Sequence, residues 1–232
     1  MIKTKLFPLA YKEDIVLSIE TIKAIGATRI WDIGCGNGAW AIKVNESVPV
    51  VTFELLDNFK FVEEQKIELL PYWWPKDEKE LLEHLNMNEI DFTFHNQDIQ
   101  HLPDIESDFI RLDTARETQD TIAWCLFNLS DTGVINCCDI KTNKSFDKLM
   151  MMQTEVIKGN LELVWLGEAE GVWCRPGRGE ELREKLLDNQ DLHNYFGYFD
   201  ECSYELMGTE YKYVRAKLNQ SITSQNKGLL NV

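Results

Sequence analysis

Two rhythms of apolar residues run through the chain. Short runs of β-branched and aromatic residues fall at 29–33, 49–54, 90–94, 108–112 and 134–139. Between them apolar positions return every three or four residues, the spacing of one helix face. That rhythm predicts helices over 12–25, 39–46, 77–85, 117–129 and 145–158. The first puts Ile15, Ile19 and Ile22 on one face with Val16 beside them, and Gly26 supplies its stop. The fourth gathers Ile122, Cys125, Leu126 and Leu129, and the fifth Phe146, Leu149, Met150 and Val156. Strands that alternate with helices predict a largely parallel sheet covered on both faces. The alternation then changes. Residues 161–166 and 171–175 read as two strands with only a short Gly167–Glu170 connection, which is a hairpin.

The rest is less regular. Residues 59–70 read as a helix that ends at Pro71, and the Trp73–Trp74 pair before Pro75 reads as a satellite core or a lid. Beyond Pro176 a helix is expected over 180–187. Residues 191–213 are rich in Tyr and Phe, and the polar residues from 219 are expected to fray. One domain is placed at 1–176, with an extension at 177–232 that packs on it or extends it.

Composition narrows the function classes. The chain has 232 residues, 44% of them hydrophobic, enough for one substantial core. No apolar run reaches membrane-spanning length, and the opening residues carry positive charge without an apolar segment after them. A cytoplasmic protein is expected. The six cysteines are expected to be reduced thiols, and none is spaced as C-x-x-C. The net charge of −15 opposes binding to phosphate backbones and makes a nucleic-acid partner unfavourable.

The stretch with candidate chemistry is Ile30-Trp31-Asp32-Ile33-Gly34-Cys35-Gly36-Asn37-Gly38-Ala39-Trp40. It reads as a buried strand ending in a carboxylate, a three-glycine turn and a helix start. Glycines let backbone approach a ligand where a Cβ would clash, and a helix start offers free N–H groups. The spacing is G-x-G-x-G, not the G-x-G-x-x-G of dinucleotide sites. Further acids close other strands: Glu54, Asp113 and Asp139, with Asp57 as the fallback if the second strand runs longer. Asp98 adds a loop acid. In open α/β sheets such residues meet beyond the carboxyl ends of the strands.

The acidic-x-G-x-G-x-G run, followed by five β/α units and a late hairpin over about 12–176, resembles the class I, Rossmann-like methyltransferases that use S-adenosylmethionine (SAM). The resemblance implies an α/β fold: a mostly parallel seven-stranded sheet with an antiparallel last strand and helices on both faces. It implies that Gly34, Cys35, Gly36 and Gly38 pass under the methionine and ribose of SAM, with Asp32 near the ligand's amino group. It gives Glu54 the ribose hydroxyls, Asp98 the adenine amino group, and Ile99 the adenine ring.

The stretch 108–139 looks like the small-molecule and sugar O-methyltransferases that place acids after strands four and five. That likeness makes Asp113 and Asp139 the catalytic candidates. They would serve as ligands of a divalent cation such as magnesium, or as a base and its orienting partner. The chain departs from the pattern in lacking the usual His after Asp113 and in having Cys138 before Asp139. Arg116 reads as a surface salt bridge or a substrate-anion contact. The expected function is methyl transfer from SAM to a small-molecule or sugar oxygen. A non-catalytic SAM-fold binding or scaffold protein, or a methyltransferase acting on protein or nucleic acid, are the alternatives.

Overall fold

The computed structural model describes residues 12–49, 51–59, 75, 77–114, 119–138, 140, 146–167, 170–206 and 208–218. The elements, in order, are α1 (Lys12–Ile25), β1 (Arg29–Ile33), α2 (Ala39–Ser47), β2 (Thr52–Leu56), α3 (Glu78–Met87), β3 (Phe92–His95), β4 (Ser107–Leu112), α4 (Gln119–Asn128), β5 (Leu129–Cys137), α5 (Phe146–Ile157), β6 (Glu162–Leu166), β7 (Gly171–Cys174), α6 (Gly179–Leu187), α7 (Gln190–Tyr195), β8 (Phe196–Leu206) and β9 (Thr209–Leu218). The helix read over 59–70, the Trp73–Trp74 pair, Arg116, Asp139 and the tail from 219 lie outside the described residues.

All strands join one sheet in the order β3-β2-β1-β4-β5-β7-β6-β9-β8. β3, β2, β1, β4 and β5 run parallel. The hairpin places β7 antiparallel between β5 and β6. The expected antiparallel strand is therefore present, but the sheet has nine strands, not seven. β9 pairs parallel with β6 and β8 closes the edge antiparallel to β9. The Tyr- and Phe-rich stretch builds much of this added hairpin. One face sets Phe196 and Phe199 against Trp165, at 5.2 and 5.5 Å between ring centroids. The other stacks Tyr204 on Tyr211 at 5.2 Å and reaches Gln153 of α5 through the Tyr204 hydroxyl.

Alternation along the strands sends successive side chains into two cores. One lies under α1, α2, α3, α6 and α7 and holds Ile30, Trp40, Phe53, Leu55 and Phe109. The other lies under α4 and α5 and holds Trp31, Ile33, Ile110, Leu112 and Trp173. No helix among the described residues is long and apolar enough to cross a membrane.

Two boundaries differ from the sequence reading. β2 continues past Glu54 to Leu56, because Leu55 and Leu56 keep pairing with Asp32 and Ile33. β5 begins at Leu129, and the expected Thr132–Gly133 turn is a bulge in its ladder with β4. In α1 the expected Ile15 and Ile22 are buried and Ile19 is only half-buried, and Asp14, Leu17, Ser18 and Thr21 are buried beside them. Much of that helix therefore meets the sheet through polar groups.

Candidate functional site

The chain leaves β1 toward β2 and β3, then returns to β4 on the other side of β1. Crevices at such a reversal, beyond the carboxyl ends of the strands, are where α/β sheets bind ligands. The glycine turn sits there. Gly34, Gly36 and Gly38 all have positive φ, at 83°, 56° and 72°. Gly34 also lies against the end of β4, where a Cβ would fall 2.2 Å from the Asp113 carbonyl oxygen. A side chain there would push the turn off the neighbouring strand.

The turn is tied to the end of β2. The N–H groups of Gly34 and Cys35 donate to the Leu56 carbonyl at 2.9 and 3.0 Å. The Gly36 N–H donates to Asp57 Oδ2 at 2.9 Å. Asp57 also accepts the Phe59 N–H at 2.8 Å. Burial pushes the Asp57 carboxyl up, and these N–H bonds oppose the shift. Asp57, not Glu54, is thus the acid beyond the strand's end and beside the glycines. Glu54 points to the opposite face of the sheet, where its Oε2 pairs with His95 Nε2 at 2.9 Å beside the Trp31 ring. Next to Asp57, Asn58 Nδ2 donates to Asp98 Oδ1 at 3.0 Å. Ile99 opens a short 3-10 turn and packs on the α4/α5 core. The loops after β2 and β3 are joined by this contact.

Beneath the glycine turn lies a buried charge cluster. Arg111 of β4 is 2% exposed. Its Nε donates to Asp14 Oδ2 at 3.0 Å, its Nη1 to Asp32 Oδ1 at 2.9 Å, and its Nη2 to Asp113 Oδ2. Its guanidinium carbon lies 5.1 Å from the centre of the Trp40 ring. Asp14 is held in turn by Ser18, whose hydroxyl donates to Asp14 Oδ1 and accepts the Trp40 indole N–H. Asp32 is fully buried, and its Oδ2 has no hydrogen-bond partner among the described residues. Burial pushes the Asp32 carboxyl up to about 6 against the opposing pull of Arg111. Burial raises Asp14 as well. It works against the charge of Arg111, but the surrounding carboxylates, Asp113 first, outweigh it and hold the guanidinium charged.

The far side of the crevice is formed by the ends of β4 and β5. Lys148, 1% exposed on α5, donates to the carbonyls of Cys138, Thr114 and Leu112 at 2.8, 3.3 and 3.5 Å. It pins the two strand ends together. Cys138 lies on the same face as Arg111, and burial drives its thiol well up, so it stays neutral. Asp113 is 30% exposed at its side chain and reaches the crevice. Its expected partner Asp139 is outside the described residues. Among the described residues no group of three or more His, Cys, Asp or Glu side chains is placed to hold a metal ion, and Asp113 gives Oδ2 to a guanidinium, so a cation role for the pair turns on Asp139.

The structure therefore brings together Asp32, Gly34, Cys35, Gly36, Gly38 and Asp113, joins Asp98 and Ile99 to them through Asn58, and sets Glu54 apart. Sequence reasoning missed Asp14 and the role of Arg111. One signal was available: an arginine inside the apolar run Phe109-Ile110-Arg111-Leu112 must be buried and must find carboxylates.

The parallel sheet with its reversal at β1, the glycine turn there and the late antiparallel strand are the fold of the class I SAM-dependent methyltransferases. Solved structures share it. A protein assigned as an O-methyltransferase in Klebsiella pneumoniae superposes at a TM-score of 0.56 with 11% identity, over 73% of this chain and 82% of its own. The precorrin-6y C5,15-methyltransferase of Geobacter metallireducens gives 0.52 and 12%, over 76% and 94%. The O-methyltransferase NovP gives 0.51 and 15%, over 71% and 78%. No family model matches the sequence, and no curated protein sequence does. At these identities the likeness is one of fold.

Proposed function

We propose that the protein is a SAM-dependent methyltransferase acting on an oxygen of a small molecule or sugar. The observation that carries this reading is the cradle at the β1–β4 reversal. There a glycine turn covers the buried Asp32, whose Oδ2 is unpartnered among the described residues, with Asp57 beside it. An ammonium group such as that of SAM suits Asp32 Oδ2, directly or through water. Ribose hydroxyls suit Asp57, which takes the role first given to Glu54. Asp98 suits the adenine amino group and Ile99 the ring face. Gly34, Cys35, Gly36 and Gly38 supply the floor.

When bound, SAM supplies an electrophilic methyl on its sulfonium. The acceptor oxygen would take that methyl as the sulfur keeps the bond's electron pair, and the hydroxyl proton would pass to Asp113 or Asp139. Arg111 fixes Asp113 at the crevice, where it orients the acceptor hydroxyl. Asp139 is the proposed second acid. Much of the rate then comes from alignment and exclusion of water.

Two of the similar folds carry O-methyltransferase names, which supports an oxygen acceptor, while the precorrin enzyme's name specifies carbon positions. The charge of −15 supports a small acceptor over a nucleic acid. The test is calorimetry with SAM and NAD, then transfer of labelled methyl from SAM to hydroxylated aromatics and sugars. SAM should bind, NAD should not, and label should reach an oxygen. Absence of SAM binding overturns the reading. Binding without transfer to any acceptor favours the scaffold alternative.

A further inference from the structure

Among the described residues, the charges around the cradle do not cancel. Asp14, Asp32 and Asp113 bond to Arg111, Asp57 holds the Gly36 N–H, and Lys148 sits on the strand-end carbonyls. The thiols of Cys35 and Cys138, also in this group, are kept neutral by burial. Four carboxylates against two cations leave an excess of about two negative charges, most of it out of contact with water. Asp14 and Asp32 are 3% and 0% exposed, and Asp32 Oδ2 has no partner among the described residues.

We propose that this uncompensated charge, set by Asp14 of α1 together with Asp32 and Asp113, makes the cradle select cationic SAM over its neutral-sulfur product S-adenosylhomocysteine, so that product is released rather than retained. The inference rests on the SAM reading above. SAM carries a sulfonium, an ammonium and a carboxylate, a net charge of about +1 at neutral pH. The product lacks the sulfonium charge and is neutral overall. The methionine ends of the two ligands meet the same Asp32, so contacts there do not discriminate. Discrimination falls to the longer-range field of the whole cluster, which is strong where water is excluded. Asp14 sets that field without lying at the strand ends. It is a positioning and field-setting residue on a helix that the glycine turn does not include.

The selectivity depends on pH. Below the Asp32 value of about 6 that carboxyl takes up a proton, and burial shifts Asp14 in the same direction. The field then weakens and the two ligands become equivalent. The groups facing Asp32 are Asp14 from α1, Cys35 from the turn, Asp57 from the end of β2, and Arg111 and Asp113 from β4. Burial keeps Cys35 uncharged, and Arg111 stays charged throughout.

Calorimetry on the full chain tests this, with SAM and S-adenosylhomocysteine titrated at pH 8 and at pH 5. The wild type should prefer SAM by about tenfold or more at pH 8 and by less than about threefold at pH 5. Asp14→Asn should lose most of the preference at pH 8 by weakening SAM while leaving the product's affinity nearly unchanged. An equal loss for both ligands would mark Asp14 as structural and overturn the proposal. The wild-type pH series stands even if that variant does not fold, and a ratio near one at pH 8, or one that does not change with pH, also overturns it. Failure of either ligand to bind wild type would instead refute the SAM reading itself.

Discussion

Replacing Arg111 by leucine isolates what holds the cluster together. The guanidinium is 2% exposed and bonds to three carboxylates, two of them buried as deeply. Its loss strands the charges of Asp14 and Asp32 in the interior, and breaking one side of a buried ion pair costs about 3–5 kcal/mol. For a chain of this length each kcal/mol lowers Tm by roughly 2–4 °C, so the fall at pH 8 should be on the order of 6–20 °C. The sign of the pH dependence follows from the carboxyls. Asp14 and Asp32 already have raised values in the folded state, Asp32 at about 6. Groups raised on folding contribute stability that is complete below their unfolded value and is lost as pH rises through the folded one. Arg111 opposes the rise in both, so without it they climb further and the loss at pH 8 deepens. At pH 5 Asp32, at about 6 even with Arg111 present, protonates, which removes its stranded charge at about 1.4 kcal/mol per pH unit, and Asp14 shifts in the same direction. Calorimetric unfolding of Arg111→Leu against wild type should therefore show a large deficit at pH 8 and a much smaller one at pH 5. An equal deficit at both values would mean that packing, not charge, is what Arg111 supplies, and the electrostatic account of the cluster would fail.

Two other substitutions separate the acids of β2. Asp57→Ala should weaken SAM by about 1–3 kcal/mol in calorimetry, since it removes a charged acceptor and the Gly36 N–H partner together; unchanged affinity would remove Asp57 from the site. Glu54→Gln should keep SAM affinity within about threefold while lowering stability by about 1 kcal/mol as His95 trades a charged partner for a neutral one. A tenfold loss of SAM affinity in Glu54→Gln would return the ribose role to that residue.

What was legible in the sequence follows from which interactions are local. The β1 strand, the glycine turn and α2 form one continuous segment, and the buried parallel strands read as apolar runs because both their faces are covered. The end of β2 was misplaced because Leu55 and Leu56 are apolar whether they end a strand or continue it. Only the pairing with β1 decides. The β8–β9 hairpin was hidden for a different reason. Its strands carry aromatics on both faces, Phe196 and Phe199 toward Trp165 and Tyr204 toward Tyr211, which removes the polar-apolar alternation that marks a half-exposed strand. The charge cluster is the least local feature. Asp14 and Arg111 stand 97 residues apart and meet only once α1 has packed on the sheet.

The polar stripe of α1 shows how stability is traded against the site. An amphipathic helix on a parallel sheet would be held more cheaply by leucine or isoleucine at positions 14, 18 and 21. Instead Asp14, Ser18 and Thr21 are buried there, next to Asp32, Arg111 and Asn136, which pair across β1, β4 and β5 at one level of the sheet. Several atoms of this layer, namely Thr21 Oγ1, Asp32 Oδ2 and Asn136 Nδ2, lack hydrogen-bond partners among the described residues. Each such atom costs about 1–3 kcal/mol against a satisfied one. An arrangement held at that expense needs a return that folding alone does not give, because apolar packing would serve folding better. The layer lies directly under the glycine turn, so the return is sought there: a fixed field and an open carboxylate oxygen at the place where a cationic ligand would rest. Asp32→Asn tests the trade. It should leave the ligand-free protein as stable as wild type, or more so, at pH 8, because it removes one unit of excess buried charge. It should weaken SAM by tenfold or more. A variant that loses stability while keeping its affinity would reverse the argument and make Asp32 a structural anchor for Arg111.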